Sequence, residues 1–170
     1  SADGSAATIT LTIGLADVNE FPVSAITDAD VTSNTVVENA VNGSVVGITA
    51  FASDADGTDT VTYSLDGSAG GRFAIDGNTG IITVADGTLL NYEAATSHSV
   101  IVRASSTDGS STTQTITINL IDVNEFTITP IGDNNLAANA VNENAANGTL
   151  VGFTASAMDG DGTNNVIIYT

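Results

Sequence analysis

The sequence has no cysteine, only two basic residues and few aromatic side chains, which make up 5% of its 170 residues. Without cysteine, no disulfide can stabilise the fold. The two arginines, Arg72 and Arg103, stand against 20 acidic residues, which gives a formal net charge of −18. Nucleic acids and anionic membranes are bound through Lys and Arg, so this charge excludes both as partners and favours cations.

Long hydrophobic runs and the usual catalytic side chains are also missing. No apolar run approaches the ~20 residues of a membrane-spanning helix, so direct membrane insertion is not expected. His98 is the single histidine, and without a second His or a Cys neither a zinc site nor a nucleophilic site is expected. A catalytic carboxylate pair would need a substrate cleft, whereas Asp54 and Asp56 fall in a predicted turn. The sequence therefore predicts that the protein is not an enzyme.

What the sequence does contain is a hydrophobic fraction of 42% arranged with the period of β-strands. Residues 114–120 alternate strictly between polar and apolar side chains, as do residues 8–13, which is typical of half-buried strands. Asp-Gly pairs separate the runs, and Asp66, Asp76 and Asp86 are assigned to turns. Seven strands in about 100 residues predict an immunoglobulin-like sandwich with almost no helix. These strands cover residues 31–37, 44–52, 59–65, 72–75, 80–84, 98–104 and 114–120.

The sequence also repeats itself over a long period. Residues 17–21, DVNEF, return as residues 122–126, an offset of 105 residues (122 minus 17). A period near 100 residues is that of a whole domain rather than of a solenoid unit. The predicted organisation is the end of one repeat at 1–21, a complete repeat at 22–126 and the beginning of another at 127–170. The same offset relates further pairs: Glu38 and Glu143, Gly43 and Gly148, Asp54 and Asp159, and Asp56 and Asp161.

Both partial repeats are expected to contain strands, at residues 8–15 and within residues 141–169. A lone strand with apolar side chains such as Ile9 and Leu11 is unstable in water, so something must cover it. Two explanations are open. Either the sequence is an excerpt of a longer chain, or identical chains join by adding the strand of one molecule to the open sheet of the next.

Seven short motifs occur in order along the complete repeat: VEN at 37–39, DAD at 54–56, FAID at 73–76, TGII at 79–82, LNYE at 90–93, VRA at 102–104 and DVNE at 122–125. In this order they resemble the cadherin-like repeats of large bacterial surface adhesins of the RTX type. The resemblance implies tandem Greek-key β-sandwiches, one complete seven-stranded repeat flanked by partial ones, with Ca²⁺ bound at the junctions. Acidic linkers suit that ion, because Ca²⁺ takes about six to eight oxygen ligands.

The resemblance also implies a set of metal ligands for each junction. At the second junction they come from the complete repeat, the linker and the following segment: Glu38, Asn91, Glu93, Asp122, Asn124, Glu125, Asp159 and Asp161. At the first junction they come from the linker and the complete repeat: Asp17, Asn19, Glu20, Asp54, Asp56 and Asp108. Glu143 would serve a junction beyond Thr170.

The linkers depart from the family pattern, which usually reads Asp-x-Asn-Asp-Asn. Glu20 and Glu125 replace the second Asp, and Phe21 and Phe126 replace the last Asn. Since this removes one oxygen ligand from each junction, one or two ions per junction are expected rather than three.

Plainer roles stay open for some of the acidic residues, with Asp54 and Asp56 in a turn, Glu38 on a solvated strand and Glu93 as a turn cap. The aromatic residues are expected to pack. Phe21 and Phe126 would pack against the start of the next repeat, and the core would hold Tyr63, Tyr92, Phe51, Phe73 and Phe153.

The predicted function is mechanical: a Ca²⁺-stiffened extracellular spacer of a bacterial cell-surface adhesin, which projects a distal binding domain and so mediates cell adhesion. Its partners would be neighbouring repeats of the same chain or identical chains. Two alternatives stay open. Chains joined by strand addition would form an extracellular filament or surface layer, and the Ser- and Thr-rich face at residues 105–117 would bind polysaccharide or another copy weakly.

Overall fold

The computed structural model describes residues 2–16, 18–161 and 166–170. The complete repeat is an all-β, immunoglobulin-like sandwich, as predicted, but its two four-stranded sheets contain eight strands instead of the predicted seven. A single 3₁₀ turn, Gly87–Leu89, lies between the sixth and seventh of its strands. In chain order the strands are β1 (Thr27–Asp28), β2 (Thr35–Val37), β3 (Val45–Phe51), β4 (Val61–Gly67), β5 (Phe73–Ile75), β6 (Ile81–Val84), β7 (Ser97–Ser106) and β8 (Ser111–Ile121).

Each sheet combines strands from distant parts of the repeat. One sheet has the order β1-β3-β6-β5 and is antiparallel throughout. The other has the order β2-β8-β7-β4, in which β2 runs parallel to β8 and the other pairs are antiparallel. The β7–β8 hairpin pairs from Ser97 opposite Asn119 to Ser105 opposite Ser111. It therefore carries its turn, residues 107–110, to one end of the sandwich and the following linker to the other.

The single strand predicted at residues 31–37 is wrong in extent. β1 pairs with β3 in one sheet, whereas β2 pairs with β8 in the other, so the chain crosses between the sheets. Within the crossing, the backbone N–H of Thr32 donates to Asp30 Oδ1 at 2.9 Å, and Val31 is fully exposed. Residues that cross between sheets have no ladder partner in either, which is why the strand begins only at Thr35.

The core lies between the two sheets and takes alternate residues from each strand. Along β3, Val46 and Ile48 are buried while Val45 and Phe51 face solvent. Removal of this apolar surface from water is the main contribution that stabilises the repeat. The largest buried apolar side chains come from both sheets and from the residue after the 3₁₀ turn: Ile48, Ile82, Leu90, Ile118, Val46, Val84, Val100 and Val102.

The aromatic residues divide between core and surface. Phe73 is buried, and Tyr63 and Tyr92 pack against the core from its edge. The prediction that Phe51 and Phe153 are core residues is wrong, since each is about half exposed. Side chains alternate between the two faces of β3, and Phe51 lies on the face that points away from the core. Phe153 occupies the position equivalent to the buried Ile48, but among the described residues no second sheet covers it.

The predicted strand at residues 8–15 is not formed. Residues 5–16 have no assigned secondary structure, and the side chains of Ile9, Leu11, Ile13 and Leu15 are at least 77% exposed. A strand needs a neighbouring strand to receive its backbone hydrogen bonds, and in the described part of the chain this segment has none. Alternation alone was therefore not sufficient to make a strand.

The described residues of the segment after the complete repeat contain less strand than predicted within residues 141–169, and residues 162–165 of that range lie outside the described residues. The segment forms β9 (Gly132–Asp133) and β10 (Ala155–Ser156), which pair with each other. Gly132 lies opposite Ser156, and 105 residues earlier Thr27 lies opposite Phe51. The segment thus begins with the same strand pair as the complete repeat. The predicted boundaries at residues 21 and 126 stay predictions.

Among the residues that the structure describes, no helix has the length and hydrophobicity needed to cross a bilayer.

Two adjacent isoleucines of β6 provide a test of the core. Ile82 is fully buried, whereas Ile81 is 37% exposed on the outer face. Replacing Ile82 with Ala should lower the free energy of unfolding by about 2 to 5 kcal/mol, because it leaves a cavity in a packed interior. Ile81→Ala should cost less than about 1 kcal/mol. Urea unfolding of both variants in chelator measures the difference, and equal losses would contradict the assigned inward and outward faces.

Candidate metal sites at the two ends of the repeat

Two loops and a linker meet at the end of the sandwich where the repeat begins. The loop between β3 and β4 lies beside the β7–β8 turn, since the backbone N–H of Thr107 donates to Thr60 O at 3.2 Å. The first linker joins them through Val23, whose N–H donates to Ser110 Oγ at 2.8 Å. Residues far apart in sequence are thereby held at one end of the molecule.

Four carboxylates converge at this end, and we call Asp54, Asp56, Asp59 and Asp108 the N-terminal cluster. One carboxylate oxygen from each lies within 4.8 Å of one from every other. Local turns produce the convergence. Asp54 Oδ1 accepts the N–H of Asp56 at 3.1 Å, and Asp56 O accepts the N–H of Asp59 at 3.0 Å, so the chain folds back on itself.

The N-terminal cluster is partly withdrawn from water. Asp56 is 7% exposed, and the buried Oδ2 of Asp54 has no hydrogen-bond partner among the described residues. A buried carboxylate oxygen without a partner is costly. At 4.8 Å, like charges repel by about 1 to 4 kcal/mol per pair at effective dielectric constants of about 80 to 20. Both observations fit a site for a cation.

Neither arginine of the chain serves as that cation. The guanidinium of Arg103 pairs with Asp66 at 2.5 Å on the outer face of the β2-β8-β7-β4 sheet and holds the pKa of Asp66 below its usual value. Arg72 donates to two backbone carbonyls, Leu89 O at 2.9 Å and Ala69 O at 2.8 Å. These are the only two basic residues in the sequence, and both are paired elsewhere.

The opposite end of the repeat carries a second group of acids. Glu38, Glu93 and Glu125 offer oxygens within 4.8 Å of one another, and so do Glu93, Asp122 and Asp161. We call these five residues the C-terminal cluster. They come from three parts of the chain: the complete repeat, the linker after β8 and the segment that follows.

Glu38 is the best anchored member of the C-terminal cluster. It is 2% exposed, and its carboxylate accepts the backbone N–H of Tyr92 at 2.7 Å and that of Val123 at 2.9 Å. Its own N–H donates to Ile121 O at 3.0 Å. Glu38 therefore ties the linker to the body of the repeat. It is not the solvated strand residue of the plainer interpretation.

The next residue, Asn39, also contacts the linker. It has a φ of 52°, in the left-handed region that Asn tolerates better than most residues. Its N–H donates to Leu90 O at 3.1 Å, and its side-chain amide donates to Glu125 Oε1. The turn is closed by Gly87, where a Cβ would lie 1.8 Å from Ala40 O, so that no larger residue fits.

Crowding of acids affects Glu125 directly. Desolvation raises the pKa of its carboxyl, and the charges of Glu38, Glu93, Asp161 and Asp122 raise it further. A raised pKa means that the ionised form of Glu125 is disfavoured at this position. A bound cation would reverse that effect by favouring the ionised form.

The two linkers are captured in the same way. Asp56 Oδ2 accepts the backbone N–H groups of Glu20 and Phe21, at 3.2 and 3.0 Å. Asp161, 105 residues later and 3% exposed, accepts those of Glu125 and Phe126, with a shortest contact of 2.9 Å. Each linker thus binds through its backbone to the domain that follows it.

The remaining predicted ligands lie at or near these clusters in different ways. The side-chain amide of Asn19 donates to Asp108 Oδ2 at 2.5 Å, and Glu20 takes part through its backbone. Asn91 Oδ1 accepts the N–H of Ala94 at 2.6 Å and so caps a turn. Asn124 is exposed, Asp159 Oδ1 accepts the N–H of Asp161 at 3.4 Å, and Asp17 lies outside the described residues.

Sequence reasoning missed two residues, Asp59 and Asn39. Asp59 falls within the predicted strand at residues 59–65, but β4 begins at Val61 and leaves Asp59 in the turn. An acid three residues after Asp56, beyond a glycine, was the available signal. The predicted burial of the linker phenylalanines is only partly met: Phe21 is 54% and Phe126 is 49% exposed, although Phe126 contacts Gly160.

Glu38 should stabilise the repeat even without metal, because its carboxylate is the partner of two backbone N–H groups. Glu38→Ala should lower the free energy of unfolding in excess chelator by about 1 to 3 kcal/mol. Glu143 occupies the same position 105 residues later and is exposed, so Glu143→Ala is the matched control and should change little. Denaturant unfolding tests both. An unchanged Glu38→Ala variant would show that these hydrogen bonds do not hold the linker.

Comparison with known proteins agrees with this architecture. Residues 26–121 match the Cadherin domain family. Human Protocadherin Fat 4 is 37% identical over 145 residues, covering 81% of this chain and 3% of that protein. Cadherin-related family member 1a of Danio rerio is 34% identical over 146 residues, covering 79% of this chain and 17% of that protein. The chain therefore spans only a small part of the length of these relatives.

Solved structures show the same fold. Mouse Cadherin-23 EC22-24 superposes with a TM-score of 0.64 at 25% identity, over 86% of this chain and 46% of that one. The Protocadherin GammaB4 extracellular domain superposes with a TM-score of 0.68 at 24% identity, over 86% of this chain and 22% of that one. From the matched residues, the identity to these relatives and the shared sandwich, we conclude that the chain belongs to the cadherin domain family.

Proposed function

We propose that this protein is an extracellular spacer of a longer adhesion protein, and that Ca²⁺ stiffens its junctions. One observation carries the proposal: the C-terminal cluster brings together carboxylates from the repeat, the linker and the following segment. A cation held there binds all three parts at once. Cadherin domains in general bind Ca²⁺, and the acidic clusters are compatible with that ion.

The donor set favours calcium over other metals. Both clusters offer oxygen atoms only, which suit a hard cation with a flexible coordination shell. Zinc prefers His and Cys, and Mg²⁺ demands a nearly ideal octahedron and keeps several waters. His98 belongs to neither cluster and lies in β7, where its ring contacts that of Phe73 at a centroid distance of 6.4 Å.

The chain's own residues would transmit stiffness from one domain to the next. Glu38 and Glu93 belong to the repeat, Asp122 and Glu125 belong to the linker, and Asp161 holds the linker backbone from the other side. When bound, the ion supplies the positive charge that lets these carboxylates stay together. A ligand that binds only this arrangement shifts the population away from bent junctions.

This function depends on calcium outside the cell. Extracellular Ca²⁺ sites typically have dissociation constants of about 10⁻⁴ to 10⁻³ M, so the junctions would be stiff outside and flexible in cytoplasm. The curated relatives described above are animal proteins, whereas the sequence motifs resemble bacterial adhesin repeats. We retain the bacterial cell surface as the proposed location. Strand addition between chains and polysaccharide binding stay hypotheses that no contact in the described residues favours.

Calcium should stabilise the protein against unfolding. At a free Ca²⁺ concentration of about 100 times the dissociation constant, each independent site should add about 2.7 kcal/mol to the free energy of unfolding. Urea unfolding in Ca²⁺, in Mg²⁺ at the same concentration and in chelator measures the gain. Equal stability in all three would contradict a specific calcium site.

Small-angle X-ray scattering tests the stiffening itself. The radius of gyration and the maximum dimension should differ between excess Ca²⁺ and chelator, with a narrower range of shapes in Ca²⁺. A variant with Asp122→Asn and Glu125→Gln, which keeps the side-chain sizes but removes two charges of the C-terminal cluster, should lose most of the difference. If scattering from the unmodified protein is the same in both conditions, the junctions are not stiffened by calcium.

A further inference from the structure

We propose that His98 makes this sandwich sensitive to acid. Its imidazole packs between the two sheets in the neutral form, so that protonation below about pH 6.5 weakens the repeat. The inference goes beyond the proposed function and does not depend on it, because it concerns the core of the sandwich and requires no metal ion.

The ring of His98 points into the space between the two sheets. In the β7–β8 ladder His98 lies opposite Ile118, which is fully buried, and the next residue on the same side of β7 is the buried Val100. The His98 ring also contacts that of Phe73, a buried residue of β5 in the other sheet, at a centroid distance of 6.4 Å. The imidazole therefore takes part in the packing of one sheet on the other.

One nitrogen of this ring is cut off from water. Nε2 of His98 is buried and has no hydrogen-bond partner among the residues that the structure describes. A neutral imidazole carries a proton on only one nitrogen, whereas an imidazolium carries protons on both. Protonation would therefore leave a buried N–H without an acceptor and place a charge against the ring of Phe73. Both effects are costly inside a protein.

The charged groups on the surrounding strands do not favour an imidazolium. Desolvation lowers the pKa of His98, and the positive charge of Arg72, directly before β5, lowers it further. β6 and β8 contain no acidic or basic residue. β4 and β7 contribute Asp66 and Arg103, which pair with each other on the outer face of their sheet.

The acids of the neighbouring loops are engaged elsewhere. The connection from β6 to β7, residues 85–96, contains two of them, Asp86 and Glu93. Asp86 Oδ1 accepts the N–H and the hydroxyl of Thr88, at 3.0 and 2.6 Å. Glu93 belongs to the C-terminal cluster, as does Glu38, whose carboxylate accepts two backbone N–H groups.

The sign of the pH dependence follows from the lowered pKa of His98. In the unfolded chain a histidine has a pKa of about 6.5, so below that pH the unfolded state binds a proton that the folded state resists. Stability is therefore complete above about pH 6.5 and is lost as the pH falls below it. The raised pKa of Glu125 acts in the opposite direction, because there the folded state takes up the proton more readily.

Acid would thus act on the domain itself rather than on its junctions. His98 follows Ser97, which pairs with Asn119 three residues before the linker residue Asp122. The two sheets would separate more easily at the end of the sandwich from which the linker leaves. A spacer with this residue would soften in acid whether or not its junctions hold a cation.

Urea unfolding at about pH 7.5 and about pH 5.5, on the full chain in chelator, tests the proposal. The variant His98→Phe keeps a ring beside Phe73 and removes the titrating group. Between the two pH values the unfolding equilibrium constant of the unmodified protein should rise, relative to that of His98→Phe, by up to about tenfold per pH unit. Glu125 is present in both proteins, so the difference reports on His98. The same pH dependence in both would overturn the proposal.

A matched control moves the histidine to the other side of the same strand. Ser99 is exposed on the outer face of β7, with its Oγ 3.4 Å from Thr117 Oγ1. Adding Ser99→His to His98→Phe should reproduce the pH dependence of His98→Phe alone, because a solvated imidazole has nearly the same pKa in both states. If the double variant regains the acid sensitivity of the unmodified protein, the place between the sheets is not its cause and the proposal fails.

Proton NMR of the unmodified protein gives a reading that needs no variant. The sequence has a single histidine, so one Cε1–H signal reports on it. In the folded protein this signal should titrate with a midpoint below about 6.5. A midpoint at or above that value would show that the folded state accepts the proton readily, and would overturn the proposal even if His98→Phe did not fold.

Discussion

Mutual repulsion among carboxylates acts at both ends of this sandwich. The chain carries 20 acidic residues and two arginines, and both arginines bind other partners. It nevertheless gathers acids within 4.8 Å of one another at both ends of one sandwich. Neither arginine offsets that cost, so the apolar core must hold the acidic loops together.

The apolar core and the acidic clusters occupy different parts of the sandwich. Its core is apolar and is built from alternate residues of two sheets, whereas the acids lie in loops and linkers at the ends. The β7–β8 hairpin connects the ends, with Asp108 in its turn and Asp122 just beyond its last strand. The core and the acidic clusters are therefore built largely from different residues. Glu38 is the exception, because this cluster member also holds the linker through two backbone hydrogen bonds.

The repeat made much of the site predictable, because residues that lie 105 positions apart are expected to occupy equivalent places in the two copies. Asp56 and Asp161 bind their linkers through equivalent backbone contacts. The equivalence has limits. The N–H of Ala52 donates to Tyr63 Oη, and the equivalent N–H of Ala157 donates to Tyr169 Oη, one residue later than the offset predicts. Asp59 reaches its cluster through a turn rather than a motif, and Asn39, although part of the VEN motif, contacts the linker only through the fold.

The all-β class, the period, the family resemblance and the excess of acidic residues could all be predicted from the sequence. These follow from composition and alternation, which are local properties. Only the tertiary structure decided that residues 5–16 form no strand and that Phe51 faces outward, since a strand exists through its partner and a face through what covers it. It also decided which oxygens meet, because the distance between Asp54 and Asp108 depends on the pairing of loops far apart in the chain.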